Sequence, residues 1–250
     1  MNEPSLLAAV LANPDDDPAR LRFADAIRAR DPERAELIEV QCELARLLAI
    51  ADDDWDAWCR GIPLRRRERA LLEDAAKRWL AELGVRFASV GTFRRGFVEH
   101  LELYSGLSEG GIFYPEANFQ VGSLMRATPL RSVICRGDLL DLAFGVLAQI
   151  PRIEDLELCY RPPSKPWREL FAMSSLAGLR ALSFSAYRGF DEFVAQPFPL
   201  GLERLTLQDV GGDHGDDIAQ GLAAAPACAR LHQLRVDGSL TAKGVVAIAE

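Results

Sequence analysis

The sequence predicts an α/β protein, with a helical N-terminal module over residues 1–84. A short, irregular leucine-rich-repeat solenoid with a parallel sheet is expected over residues 85–250. Two observations carry this reading. Up to about Gly84 apolar residues recur at helical period, and from Val85 they fall in short runs. In the second part an apolar residue is followed six times by two more at +3 and +5. The sets are Val98-Leu101-Leu103, Leu130-Val133-Cys135, Ile153-Leu156-Leu158, Leu179-Leu182-Phe184, Leu202-Leu205-Leu207 and Leu231-Leu234-Val236. Their starts lie 32, 23, 26, 23 and 29 residues apart, an interval at which strand-and-turn units stack into a solenoid.

The helical elements can be read in order. Ser5 is expected to cap a first helix through Leu6, Leu7, Val10 and Leu11, ending at Asn13-Pro14. Asp17-Pro18 opens a second helix, whose apolar face is Leu21, Phe23, Ala24 and Ile27. Asp31-Pro32 opens a third, with Leu37, Val40, Leu44 and Leu47 on one stripe and Ile38, Cys42 and Ala45 on another. Two stripes mean burial on two sides. Asp52, Asp53 and Asp54 read as an acidic turn, and a last helix is expected from about Leu64 to Gly84.

In the repeats, Pro129, Pro151, Gly178 and Gly201 punctuate the turns just ahead of four strands. Leu139–Gln149, Trp167–Met173 and Ile218–Ala225 read as short connecting helices. Leu156 and Leu205, both at +3, are expected to be fully buried on neighbouring strands. Phe93, Phe97 and Trp79 flank the change of period and are expected to bridge the two halves, the helical module and the solenoid, because a first repeat must be covered.

Composition narrows the function classes. The 250 residues carry a formal charge of -8, and all basic residues but Lys77, Lys165 and Lys243 are arginine. A net acidic surface repels a phosphate backbone, so no nucleic-acid partner is expected. No run of about 18 apolar residues occurs, so no membrane partner is expected either. The first apolar stretch follows Glu3 rather than a basic segment, which argues against a secretion signal. Cys42, Cys59, Cys135, Cys159 and Cys228 are odd in number and form no C-x-x-C pair, as reduced cytoplasmic thiols would.

Several motifs together resemble a known family. They are the Asp15-Asp16-Asp17-Pro18-Ala19-Arg20-Leu21 run, Ala24-Asp25, the segment Arg34–Ala45 and Arg94-Arg95-Gly96-Phe97. In combination residues 3 to 103 resemble the bacterial repeat-companion domain, a short helical module found ahead of leucine-rich repeats. The chain departs from the family pattern at Ala26, where the family often has Trp, and over Asp52–Pro63, which is longer and richer in Trp. The family has no established activity, so the resemblance implies an interaction protein and assigns no catalytic residue.

The candidate site follows from strand geometry. Side chains alternate along a strand, so residues at +2, +4 and +6 share the face opposite the core. Glu102, Tyr104, Arg136, Asp155, Glu157, Ser183, Arg204, Arg235 and Asp237 are the expected partner-binding residues on that face. Tyr104, Arg136, Arg204 and Arg235 combine area with directional hydrogen bonding and are the expected hot spots. Ala181, Ser183 and Ser185 are small and are expected to leave a shallow recess. The expected function is non-catalytic protein–protein recognition, with no cofactor and no metal. The alternative is a thiol- or metal-dependent enzyme centred on Cys59 or on the Asp213–Asp217 turn, where His214 stands among carboxylates.

Overall fold

The computed structural model describes residues 2–50, 54–83, 90–104, 107–108, 111–112, 121–136, 145–159, 167–185, 190, 193, 195, 199, 201–210, 215–238 and 241. The chain forms two compact units, residues 1–100 with 122–130, and residues 101–121 with 131–250. The fold is α/β, with a helical N-terminal part and a seven-stranded sheet in which β5 to β9 run parallel.

The first unit is built on α1 (Glu3–Ala12), α2 (Asp17–Ile27), α3 (Pro32–Leu48) and α4 (Trp55–Glu82). Each begins at an Asn or Asp whose side chain accepts a backbone N–H that the helix leaves open. Asn2, Asp16, Asp31 and Asp54 accept from Ser5, Ala19, Arg34 and Ala57 at 3.1, 3.3, 3.2 and 3.0 Å. Asn2 therefore takes the role expected of Ser5, whose hydroxyl donates to Asn2 Oδ1 at 2.7 Å. The larger correction is α4, which starts nine residues before the expected Leu64 and runs through Pro63. A helix-interior proline costs about 3 kcal/mol. The buried stripe of Ala57, Gly61, Leu71, Ala75 and Trp79 runs on both sides of Pro63, and its burial offsets that cost.

The two stripes of α3 enter separate clusters. Ala35, Ile38 and Cys42 join Leu6, Val10, Phe23, Ala24, Ile27 and Phe97. Leu37 joins Leu71, Ala75, Trp79, Phe93 and Val98. Phe93 and Phe97 belong to the hairpin of β1 (Val90–Arg94) and β2 (Phe97–Tyr104). Phe97 lies 5.5 Å from Phe23 and Phe93 lies 5.6 Å from Trp79, so these aromatic residues dock the hairpin on the helices, and all four belong to the first unit.

The turn of this hairpin is held more closely than its rim. Arg95 and Gly96 have φ of 49° and 80°, the two left-handed residues of a two-residue type I′ turn. Arg20, with no exposed surface, donates from Nη1 to the carbonyls of Arg94 and Arg95 at 3.2 and 3.0 Å. Its Nε donates to Pro14 O at 2.7 Å and its Nη2 to Glu99 Oε1 at 2.5 Å. Gln41 grips the other side, accepting from Gly96 N at 2.6 Å and donating to Phe93 O at 3.0 Å. A Cβ on Gly96 would lie 2.0 Å from Ile38 Cγ1, so both the positive φ and the packing require glycine. Gly96→Ala is expected to lower unfolding stability by about 2–4 kcal/mol through backbone strain and overpacking. Urea unfolding followed by circular dichroism checks this.

The second unit holds a small antiparallel pair, β3 (Leu107–Ser108) and β4 (Gly111–Ile112). Its main sheet contains β5 (Ser132–Arg136), β6 (Asp155–Cys159), β7 (Ala181–Ser185), β8 (Arg204–Val210) and β9 (Gln233–Gly238). Strand order is β1-β2-β5-β6-β7-β8-β9. Register follows the motif. Val133, Leu156, Leu182, Leu205 and Leu234 are successive partners, as are Cys135, Leu158, Phe184, Leu207 and Val236. Leu156 and Leu205 are buried, but β7 lies between them, because Leu182 is the partner of both. The helices are α5 (Val121–Ala127), α6 (Trp167–Phe171) and α7 (Gly215–Ala224), of which the first lies mostly in the first unit. Part of the expected Leu139–Gln149 helix lies outside the described residues. Trp167 of α6 packs against Phe184 and Phe193 at 4.7 and 5.1 Å, and all three are buried.

One column of the sheet had no place in the sequence reading. The carbonyls of Arg131, Glu154, Arg180 and Glu203, each at +1, accept two N–H groups from the following repeat. The side chains of that column alternate in sign, and Arg180 contacts Glu203 at 2.9 Å. The Arg180 hydrogen bond holds the Glu203 carboxyl below its usual range.

Candidate functional site

The strand face brings most of the expected residues together, yet as a lateral polar network rather than as free groups. Glu102 on β2 forms an ion pair with Arg136 on β5. Asp155 on β6 accepts from Arg204 on β8 at 2.8 Å, and Ala181 on β7 is the register partner of both. Glu157 and Ser183 are joined by Gln208, whose Nε2 donates to Glu157 Oε1 at 3.2 Å and to Ser183 Oγ at 2.9 Å. Arg235 donates to Asp237 at 2.8 Å within β9. The Tyr104 side chain lies outside the described residues.

Two expectations need correction. The recess over Ala181 and Ser183 is spanned by the Arg204–Asp155 and Gln208–Glu157 bridges, because long side chains on β8 reach across the small ones on β7. That alternation places Glu102, Cys159 and Ser185 opposite the core did not mean exposure, since all three are buried. Arg136 pairs with Glu102 on β2, whereas Asp155 pairs with Arg204 on β8 and Glu157 accepts from Gln208 on β8 and from Cys159 on its own strand. Gln208, the residue that ties Glu157 to Ser183, was on the predicted face without being singled out.

The groups proposed for chemistry are placed differently. Cys159 Sγ donates to Glu157 at 3.0 Å, and burial followed by this bond pushes its pKa up to about 12. Burial likewise pushes Cys42 and Cys135 up to about 12 and raises Cys228. These thiols remain protonated at neutral pH and are poor nucleophiles. Cys59 is exposed on the outer side of α4. Asp213 and His214 lie outside the described residues, and both carboxylate oxygens of Asp216 accept from Thr241, at 3.1 Å from its N–H and 2.6 Å from its hydroxyl. Among the described residues no three His, Cys, Asp or Glu side chains gather as a metal site. No described helix is long and apolar enough to cross a membrane.

The Trp-rich stretch at which the chain departs from the family pattern carries exposed apolar surface. Trp55 and Trp58 on the first turns of α4 are 74% and 43% exposed, and Ile62 one turn further on is 39% exposed. Arg65 lies over the Trp58 ring, its Cζ 4.1 Å from the centroid. The signal was present as a Trp-rich stretch, but a helix start placed at Leu64 left it in a turn without a face.

No protein-family model, no curated protein and no solved structure matches this chain.

Under native conditions at pH 8, a thiol-reactive chromogen such as DTNB should titrate Cys59 rapidly. Buried Cys42, Cys135 and Cys159 should react slowly until the chain is denatured, because burial removes access and a raised pKa removes thiolate, and half-buried Cys228 should react more slowly than Cys59. Cys59→Ser should abolish the fast phase. Two or more fast thiols in the wild type would contradict the burial described above.

Proposed function

We propose that this chain is a non-catalytic, cytoplasmic protein-recognition module that binds a protein partner through the strand face of its second unit. In this reading the parallel ladder is a short leucine-rich solenoid, and residues 3 to 103 are its repeat-companion domain. The register supports it: the +3 and +5 residues of five repeats are partners strand by strand, so each repeat presents its +2 and +4 residues on the same open side.

The observation that carries the recognition reading is the nature of the polar network. Asp155, Arg204, Arg235 and Asp237 have half-exposed side chains paired with one another along the sheet. Exposed ion pairs of this kind contribute about 0–1 kcal/mol each, so a partner's charges can displace them at small cost. The same pairs hold long side chains in extended poses, which lowers the entropy lost on binding. A broad face of exchangeable charges suits a protein surface better than it suits a small substrate, which needs a concave, largely apolar pocket.

Full-length protein immobilised in native lysate, followed by mass spectrometry, identifies the partner, and calorimetry on purified components then tests the face. Arg204→Ala and Arg235→Ala are each expected to weaken binding about tenfold, within the range for interface arginines. Ser183→Arg is expected to weaken it further by displacing the Gln208 bridge. Wild-type affinity in all three variants would exclude the strand face as the reader.

A further inference from the structure

The outward face of α4 is a self-complementary strip. At 100° per residue, Trp55, Trp58, Cys59, Ile62, Arg66 and Arg69 fall on roughly one third of the helix circumference, opposite the buried stripe of Ala57, Gly61, Leu71 and Ala75. Along the axis the strip has an order. Asp54, the N-cap, and Asp56 flank its start on either side, the two tryptophans and Ile62 lie in the middle, and Arg65, Arg66 and Arg69 at its end. The other arginines of this stretch are already engaged, Arg60 with Asp54 at 3.5 Å and Arg67 with Glu36 at 2.6 Å. Arg65, Arg66 and Arg69 form no ion pair among the described residues, and Arg65 is stacked on Trp58.

An acidic end, an apolar middle and a basic end complement the same sequence running the other way. We propose that the protein forms a two-fold symmetric homodimer through antiparallel pairing of α4, with the axis passing by Ile62. In that register Asp56 of one copy lies beside Arg66 of the other on one flank of the helix pair, and Trp58 lies level with Arg65 on the opposite flank. Ile62 meets its symmetry mate near the axis, and Trp55 is covered at both ends of the contact. Such isologous contacts are the commonest way in which identical chains associate, because one patch serves both sides.

The chemistry of the strip selects this occupant over others. An anionic bilayer would accept the tryptophans and arginines but would be repelled by Asp54, Asp56 and the formal charge of -8. Single-stranded nucleic acid meets the same repulsion. The two tryptophans offer on the order of 300 Å² of accessible ring surface per chain, a substantial part of the roughly 800 Å² per partner of an ordinary stable interface. This surface belongs to the first unit and the strand face to the second, so the two readings are tested by different variants.

Sedimentation velocity on the full chain over a micromolar concentration series tests the proposal, with circular dichroism to verify folding of every variant. The wild type is expected to move from monomer to dimer. Asp56→Arg alone, and Arg66→Glu with Arg69→Glu, each set like charges against like at both ends and are expected to weaken self-association about tenfold or more. Mixing these two variants restores opposite charges at both ends and is expected to recover a heterodimer. A short bis-maleimide is expected to trap the wild-type dimer through Cys59, whose position beside the axis brings the two thiols within reach. A wild type that stays monomeric at high micromolar concentration overturns the proposal. So does a dimer indifferent to both charge variants, or a pair of variants that fail to recover association when mixed while each remains folded. Binding of anionic vesicles by a monomeric wild type would assign the strip to a membrane instead.

Discussion

The guanidinium of Arg20 is the interaction on which the first unit depends. It is wholly buried on α2 and spends its donors on Pro14 O, the carbonyls of Arg94 and Arg95, and the Glu99 carboxylate. Burial lowers its pKa, and the Glu99 charge and hydrogen bond act in the opposite sense. Taking such a charge out of water costs several kcal/mol, and only a full set of acceptors in the right places offsets it. Here all of those acceptors but Pro14 O come from a chain segment more than seventy residues away. The hairpin turn and α2 therefore specify each other, with Gln41 on α3 closing the grip from the other side at Gly96 N and Phe93 O.

This arrangement gives a physical reason for residues that otherwise read only as a motif. The Asp15–Leu21 run supplies Arg20, and both Asp15 and Asp17 lie beside Arg95 at 3.2 and 3.1 Å. The Arg34–Ala45 segment supplies Ile38 and Gln41, and Arg94–Phe97 supplies the turn itself. Segments far apart in sequence thus serve one contact, and their work is structural. The proposed functional surfaces lie elsewhere, on the strand face and on the outward side of α4. A parallel logic holds in the second unit, where the +1 column links each strand to the next through doubly accepting carbonyls and side chains of alternating charge.

Much of the scaffold was legible in the sequence because its determinants are local or periodic. The apolar +3 and +5 positions define the core face of each strand, and the Asp-Pro signatures mark the starts of α2 and α3. What was not legible depends on partners distant in sequence or on a single misplaced boundary. Pro63 looked like a helix border, yet a buried stripe on both sides carried α4 through it, and the exposed face of Trp55, Trp58 and Ile62 followed from that. Arg20 looked like one more charged residue on a helix, since nothing local shows that carbonyls of a remote turn will meet it. On the candidate site the identity of the face was read from alternation alone. The Arg204–Asp155 and Gln208–Glu157 bridges were not, because they skip a strand and depend on side-chain length as well as register.

Native-state hydrogen exchange at the Gly96 amide is the most direct measurement of the turn lock. This N–H belongs to a two-residue turn, where an amide ordinarily exchanges through small local fluctuations. If Arg20 and Gln41 hold the turn as described, Gly96 exchanges only on unfolding of the whole first unit. It then shares the denaturant dependence of buried α3 amides such as Leu37 and Ile38. Exchange of Gly96 at the rate of a freely fluctuating turn, with the α3 amides still protected, would contradict the account.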